Sequence, residues 1–123
     1  MMKQVGGLRI KRVYDAPRAD DGARVLVDRI WPRGLAKPRA AVDLWLREIA
    51  PSDALRKWFG HDPARWSEFR ARYEAELAGH GDEVSRLQAL LSEGRVTLLY
   101  GAKDEAHNNA VALVEYLRAR DGD

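Results

Sequence analysis

The sequence predicts an α/β fold, a single compact domain with a small, mostly parallel sheet of about four strands flanked by helices. Three observations predict it. Short apolar or alternating runs are separated by helix-patterned stretches, the arrangement that builds parallel sheets through right-handed crossovers. Helix starts and stops are marked by Ser, Asp, Pro and Gly. The 123 residues suffice for one modest core, and no Ser/Gly/Pro-rich linker divides them, so the domain is read as 1–123.

In chain order, a first strand is expected at Leu8–Tyr14, where Leu8, Ile10 and Arg12 alternate with Arg9, Lys11 and Val13. The turn-rich DAPRADDG at 15–22 leads to a second strand at Arg24–Asp28. Ala41–Ile49 fits a helix through Val42, Trp45, Leu46 and Ile49, and a strand through Val42, Leu44 and Leu46. It is read as a strand. Ser52 or Asp53 caps a short helix carrying Leu55, Trp58 and Phe59 and ending at Gly60. Asp62-Pro63 starts a longer helix that runs to about Ala78, with Trp66, Phe69, Tyr73 and Leu77 as its core stripe. That helix start fully accounts for Asp62 and Pro63, and His61 beside them is left out of the site. Asp82 is expected to cap a further helix, with Val84, Leu87, Leu90 and Leu91 inward and Gly94 as a left-handed stop. A last strand at Val96–Tyr100 and a final helix with Ala106, Ala110, Leu113, Val114 and Leu117 on one face complete the chain.

The functional expectation comes from two strand ends. The run VLVDRIWPRG (25–34) stops abruptly, since Pro32 and Gly34 forbid continuation, and leaves Asp28, Arg29, Trp31 and Arg33 at the carboxyl edge where open parallel sheets bind ligands. The second end follows Tyr100 with Lys103, Asp104, His107 and Asn108 at a strand-to-helix turn. A helix start presents free N–H groups and partial positive charge, and Lys103 adds a full charge, so anions suit it. Asp28, Asp104 and His107 are the candidate proton carriers. Arg29, Trp31, Arg33, Tyr100, Lys103 and Asn108 are the candidate ligand contacts. Each also has a structural role open to it: ion pairing for Asp28, Arg29 and Arg33, packing for Trp31, and helix capping for Asp104.

Charge points the same way. Residues 1–39 hold ten Lys/Arg against four Asp/Glu, and the remainder eleven against fifteen, within a net charge of +2. A basic excess beside a strand-end site suits a phosphate, a nucleotide or a nucleic-acid backbone, although a solvated basic face has the same composition. With no cysteine, disulfides, thiolate metal sites and cysteine nucleophiles are excluded. His61, His80 and His107 lack metal-ligand spacing, and the P-loop, G-x-G-x-x-G and G-x-S-x-G signatures are missing. No metal or cofactor is therefore expected. Without a leader pattern or an apolar run of about 18 residues, a cytoplasmic protein making no membrane contact is expected.

The segments KRVYD (11–15), VLVDRIWPRGL (25–35), DLWLREIAPS (43–52), LRKWFGHDPARW (55–66) and TLLYGAKDEAHNNA (97–110) resemble the YeaO-like branch of the bacterial domain-of-unknown-function family 488. The resemblance spans nearly the whole chain and implies a compact α/β domain, with Asp43–Glu48 as a strand and no activity to transfer. In a longer-chain branch that the sequence resembles more distantly, a Cys-His-Arg motif follows the last strand. Here that position reads His107-Asn108-Asn109, so thiol chemistry cannot operate. Three readings follow. The leading one is an enzyme acting on a small anionic, phosphate- or nucleotide-like substrate. The alternatives are a nucleic-acid or small-ligand binding module using the basic N-terminal third, and a non-catalytic structural domain. Oligomeric state is not written in the sequence.

Overall fold

A computed structural model describes residues 7–121; the first and last residues of the 1–123 domain lie outside that range. Strands β1 (Leu8–Arg12), β2 (Ala23–Leu26), β3 (Leu44–Trp45) and β4 (Val96–Tyr100) form one sheet in the order β1-β4-β2-β3. Every pairing is parallel. The last strand in the chain takes a central place because its sequence, VTLLY, suits cover on both faces, and all five residues are buried. Around the sheet lie α1 (Lys37–Ala40), α2 (Asp53–Phe59), α3 (Trp66–Ala78), α4 (Gly81–Glu93) and α5 (Asn109–Asp121).

The twofold side-chain period of the strands sorts the core. Val25 and Leu98 join Phe69, Tyr73, Leu77, Leu87 and Leu113 on the helical side. Leu26 and Leu99 point the other way, against Val13, Ala40, Trp31 and Trp45. The anticipated stripe on α3 is observed: Phe69, Tyr73 and Leu77 are buried, and Phe69 stacks on Phe59 of α2 with ring centroids 4.3 Å apart. The Tyr73 hydroxyl donates to the Ile49 carbonyl at 2.6 Å, which anchors α3 under the chain leaving β3. Ser52 caps α2 by accepting from the Leu55 N–H, and it donates through its own N–H and hydroxyl to the Glu76 carboxylate of α3. Gly60 ends α2 in the left-handed conformation.

Several boundaries differ from expectation. The first strand ends at Arg12 instead of Tyr14, with one further bond from the Val13 N–H to the Tyr100 carbonyl at 2.8 Å, and Asp62-Pro63 opens a single 3-10 turn, Pro63–Arg65, ahead of α3. The second strand's regular pairing ends at Leu26, yet its ladder continues one step further through Val27 N–H to the Leu99 carbonyl at 3.1 Å. The third strand is only Leu44–Trp45; the chain then turns through Arg47–Ile49, which places Ile49 fully in the core instead of alternating onward. Asp82 lies inside the first turn of α4, whose flanking residue is His80, and Gly94 is extended at φ 161°. The final helix starts at Asn109, three residues beyond Ala106, because Asn108 accepts from the Val111 N–H and so supplies the cap itself.

Candidate functional site

The carboxyl ends of β2 and β4 lie side by side, and the segments that follow them are joined by hydrogen bonds. Asp28 accepts from the Gly101 N–H at 2.9 Å through Oδ2 and from the Asn109 amide at 3.0 Å through Oδ1. The same Asn109 amide donates to the Val27 carbonyl at 2.9 Å. Gly101 is needed for this approach, since a Cβ there would sit 3.0 Å from Asp28 Oδ2. A cleft of about 410 Å³ opens over the junction. Asp28 and Asn109 line its floor, Trp31, Phe59 and Phe69 contribute aromatic walls, and Arg33, Arg56 and His61 supply charge or hydrogen bonding.

The ring of positions around Asp28 is held by side chains of the same segment. Arg29 donates from Nε to the Pro51 carbonyl and from Nη2 to the Ala50 carbonyl, at 3.1 and 3.2 Å, and so ties the strand end to the approach of α2. Trp31 donates to the Leu35 carbonyl at 2.7 Å and packs edge-on against Trp45, 5.4 Å between centroids. Trp45 in turn donates to the Asp28 carbonyl at 2.7 Å. Tyr14 fastens the loop from the far side by donating to the Arg33 carbonyl at 2.7 Å. The Arg33 side chain itself is exposed and pairs with no acid among the described residues.

Burial is the largest influence on Asp28 and raises its carboxyl pKa above the usual value. The hydrogen bonds from Asn109 and Gly101 and the charges of His61 and Arg56 oppose that rise without cancelling it. Replacing Asp28 by Asn turns one acceptor oxygen into a donor NH2, which must then face either the Gly101 N–H or the Asn109 amide. Asp28→Asn is expected to cost about 1–3 kcal/mol, the penalty for an unmatched buried polar group. A urea midpoint equal to wild type would show that these bonds do not hold the two turns together.

The structure brings together Asp28, Arg29, Trp31, Arg33 and Asn108 around the cleft. It places the remaining sequence candidates elsewhere. Lys103 is exposed on the 101–108 turn and does not line the cleft. Asp104 accepts from the Ala106 and His107 N–H groups and pairs with His107 Nδ1 at 3.0 Å, so it closes that turn instead of capping α5. These contacts hold the Asp104 carboxyl below its ordinary value, the Ala106 N–H first among them. His107 precedes the helix and meets the edge of Trp66, 5.3 Å between centroids. Tyr100 is buried, and that burial pushes its hydroxyl pKa up.

The chain is similar to known proteins over nearly all of its length. The family described as the inactive DUF488-N3 subclade matches residues 7–121. The chain belongs to that family. Among its relatives, the uncharacterized protein YeaO of Escherichia coli (strain K12) is 45% identical over 112 residues, covering 91% of this chain and 97% of the relative. The uncharacterized proteins Mb3100c of Mycobacterium bovis and Rv3073c of Mycobacterium tuberculosis (strain H37Rv) are each 39% identical over 113 residues, covering 92% of this chain and 95% of theirs. No solved structure matches the chain.

Asn109, Arg56 and His61 are among the cleft residues not assigned to it from sequence. Asn109, next to the favoured Asn108, is the one that bonds Asp28; the two are told apart only by which one caps α5. Arg56 reaches the cleft from α2, where it reads as an ordinary surface position. His61 follows Gly60 and adopts φ 58°, a left-handed conformation that turns the chain back over Phe59, and a lone His carries no sign of that. Among the described residues no group of three His, Asp or Glu is placed to hold a metal ion, and no helix is long and apolar enough to cross a membrane.

Proposed function

We propose that the protein binds a small anionic molecule, phosphate- or nucleotide-like, in the cleft at the carboxyl ends of β2 and β4, as a binding module and not as a catalyst. The observation that carries this reading is that Arg33, whose guanidinium meets no acid among the described residues, lines the same aromatic-walled cleft as Arg56 and His61. Arg56 has only an exposed Asp53 at 3.3 Å, a contact of small worth in water. Planar guanidinium groups suit carboxylate and phosphate, and the volume is that of a small-ligand site.

Two further observations favour this reading over its rivals. Part of the basic excess of the N-terminal third is offset locally: Arg9 and Arg18 share Asp20, and Lys11 and Arg24 share Asp21. Lys11 and Arg24 are held inward with Asp21, which takes two of these cations away from a surface that could track a nucleic-acid backbone. The candidate proton carriers are engaged in architecture, with both Asp28 oxygens accepting hydrogen bonds and the Asp104–His107 pair closing a turn outside the cleft. The family's description as inactive agrees. A catalytic reading rests on Asp28, whose raised pKa suits a proton carrier.

Thermal-shift titration with inorganic phosphate, adenosine monophosphate and a single-stranded oligonucleotide tests the reading, because a ligand that binds only the folded state raises apparent stability. Phosphate and the mononucleotide are expected to raise Tm. Arg33→Ala and Arg56→Ala are each expected to weaken binding about tenfold, the worth of one charge-assisted hydrogen bond. Lys103→Ala is expected to leave it unchanged. A shift with the oligonucleotide alone, or an unchanged shift in both arginine variants, would overturn the proposal.

A further inference from the structure

The polar groups of the cleft are sorted by type. Its mouth carries Arg33, Arg56 and His61, of which the two arginines are donors only. Its floor is the reverse. The Asn109 amide NH2 faces two acceptors, the Val27 carbonyl and Asp28 Oδ1, which fixes the orientation of the side chain. Both hydrogens are thereby used, and Asn109 Oδ1 is left as an acceptor with no donor among the described residues. Each Asp28 oxygen receives one N–H, at 2.9 Å from Gly101 and 3.0 Å from Asn109, and a carboxylate oxygen has room for a second. The floor therefore holds unfilled acceptor capacity from Asp28 and Asn109, partly buried and without a matching donor. Phe59 and Phe69, buried and stacked on each other 4.3 Å apart, add apolar surface to the lining.

We infer that the ligand of this cleft is a flat, amino-substituted heteroaromatic ring bearing an anion, a guanine-type mononucleotide, with its adjacent ring N–H and exocyclic NH2 turned down to Asp28 and Asn109 and its phosphate at Arg33, Arg56 and His61. This rests on the anion-binding reading above and adds an orientation and a base-edge requirement to it. Adjacent N–H groups match the two oxygens of one carboxylate, as guanidinium does, and a ring of that kind fits against an aromatic wall. A ligand entering phosphate-first would set its anion against the Asp28 carboxylate, a like-charge contact that burial makes worse.

Titration calorimetry on the full chain with guanosine monophosphate, inosine monophosphate and inorganic phosphate tests the inference. The two nucleotides share phosphate, ribose and ring and differ in the exocyclic amino group. Guanosine monophosphate is expected to bind about tenfold more tightly than inosine monophosphate, the worth of one hydrogen bond to a charged acceptor. In Asp28→Asn that preference is expected to vanish while phosphate affinity does not fall, since the arginines are untouched and a negative charge that acts on Arg56 is removed. Should Asp28→Asn not fold, the wild-type comparison of the two nucleotides decides alone. Equal affinities for the two nucleotides overturn the base-edge inference and leave anion binding standing if phosphate still binds. Failure of phosphate and both nucleotides to bind overturns the anion reading and this inference with it.

Discussion

Arg24→Met should destabilise the protein by about 3 kcal/mol, because it removes one of the two cations on a buried carboxylate and strips two backbone carbonyls of their donor. Arg24, in β2, is 4% exposed, and Asp21, on the connection before that strand, is 3% exposed. Arg24 Nη1 donates to Asp21, while Nε and Nη2 donate to the Ala41 and Ala40 carbonyls at 2.9 and 2.8 Å. Lys11 of β1 donates to the same carboxylate, and Thr97 of β4 donates to the Asp21 carbonyl at 2.7 Å. The Asp21 side chain thus joins β1 to β2, and its backbone carbonyl adds β4. Burial works to raise the Asp21 pKa, but the Arg18 N–H and the bonds from Lys11 and Arg24 outweigh it, and the net pKa is lowered. A carboxyl lowered in the folded state contributes stability above its unfolded pKa, about 3.9, and that contribution is lost as pH falls through the lower folded value. Urea midpoints across pH 2–7 should therefore show an acid-side fall that is smaller in Asp21→Asn/Arg24→Met, which is also expected to recover part of the single variant's loss. A wild-type midpoint in Arg24→Met would rule out the pair as a structural centre.

Gly22→Ala should cost about 4 kcal/mol or more, placing it among the exceptional single substitutions. Gly22 has φ 68° and ψ −142°, a conformation close to glycine-only backbone, and that strain alone is worth about 1–3 kcal/mol. The larger part is steric: a Cβ there would lie 2.2 Å from the Arg95 carbonyl oxygen and 2.8 Å from its carbon. The neighbouring Ala23 N–H donates to that same oxygen at 2.9 Å and begins the β2–β4 register, so the backbone cannot yield without loosening the sheet. Gly34→Ala is the control. Gly34 also has positive φ, 73°, but a Cβ there meets nothing within 4 Å, so only the strain remains. Equal midpoints for the two variants would remove the steric argument.

The strand ends were legible because apolar runs and their terminators record burial on both faces: VLVD and VTLLY give the central pair, and Ser52, Gly60 and Asp62-Pro63 mark helix limits in the same local chemistry. The convergence of the turns after β2 and β4 followed from the parallel connection alone. What escaped was set by single hydrogen bonds between distant residues. Nothing in His107-Asn108-Asn109 says that the second Asn reaches Val27 and Asp28 across the sheet while the first caps α5. Likewise Asp20 and Asp21 look like ordinary turn residues, and their pairing with Arg9, Lys11, Arg18 and Arg24 depends on β1 and β2 flanking β4. Arg29 carries charge suited to an anion, yet its bonds to Ala50 and Pro51 give it a structural task.

The Arg29 clamp has a kinetic consequence. By bolting the end of β2 to the chain entering α2, it fixes two sides of the opening relative to each other before any guest arrives. A recess already shaped in the free protein loses little entropy on capture and needs no slow closing step, so a guest should associate quickly and variants should differ mainly in how long they retain it.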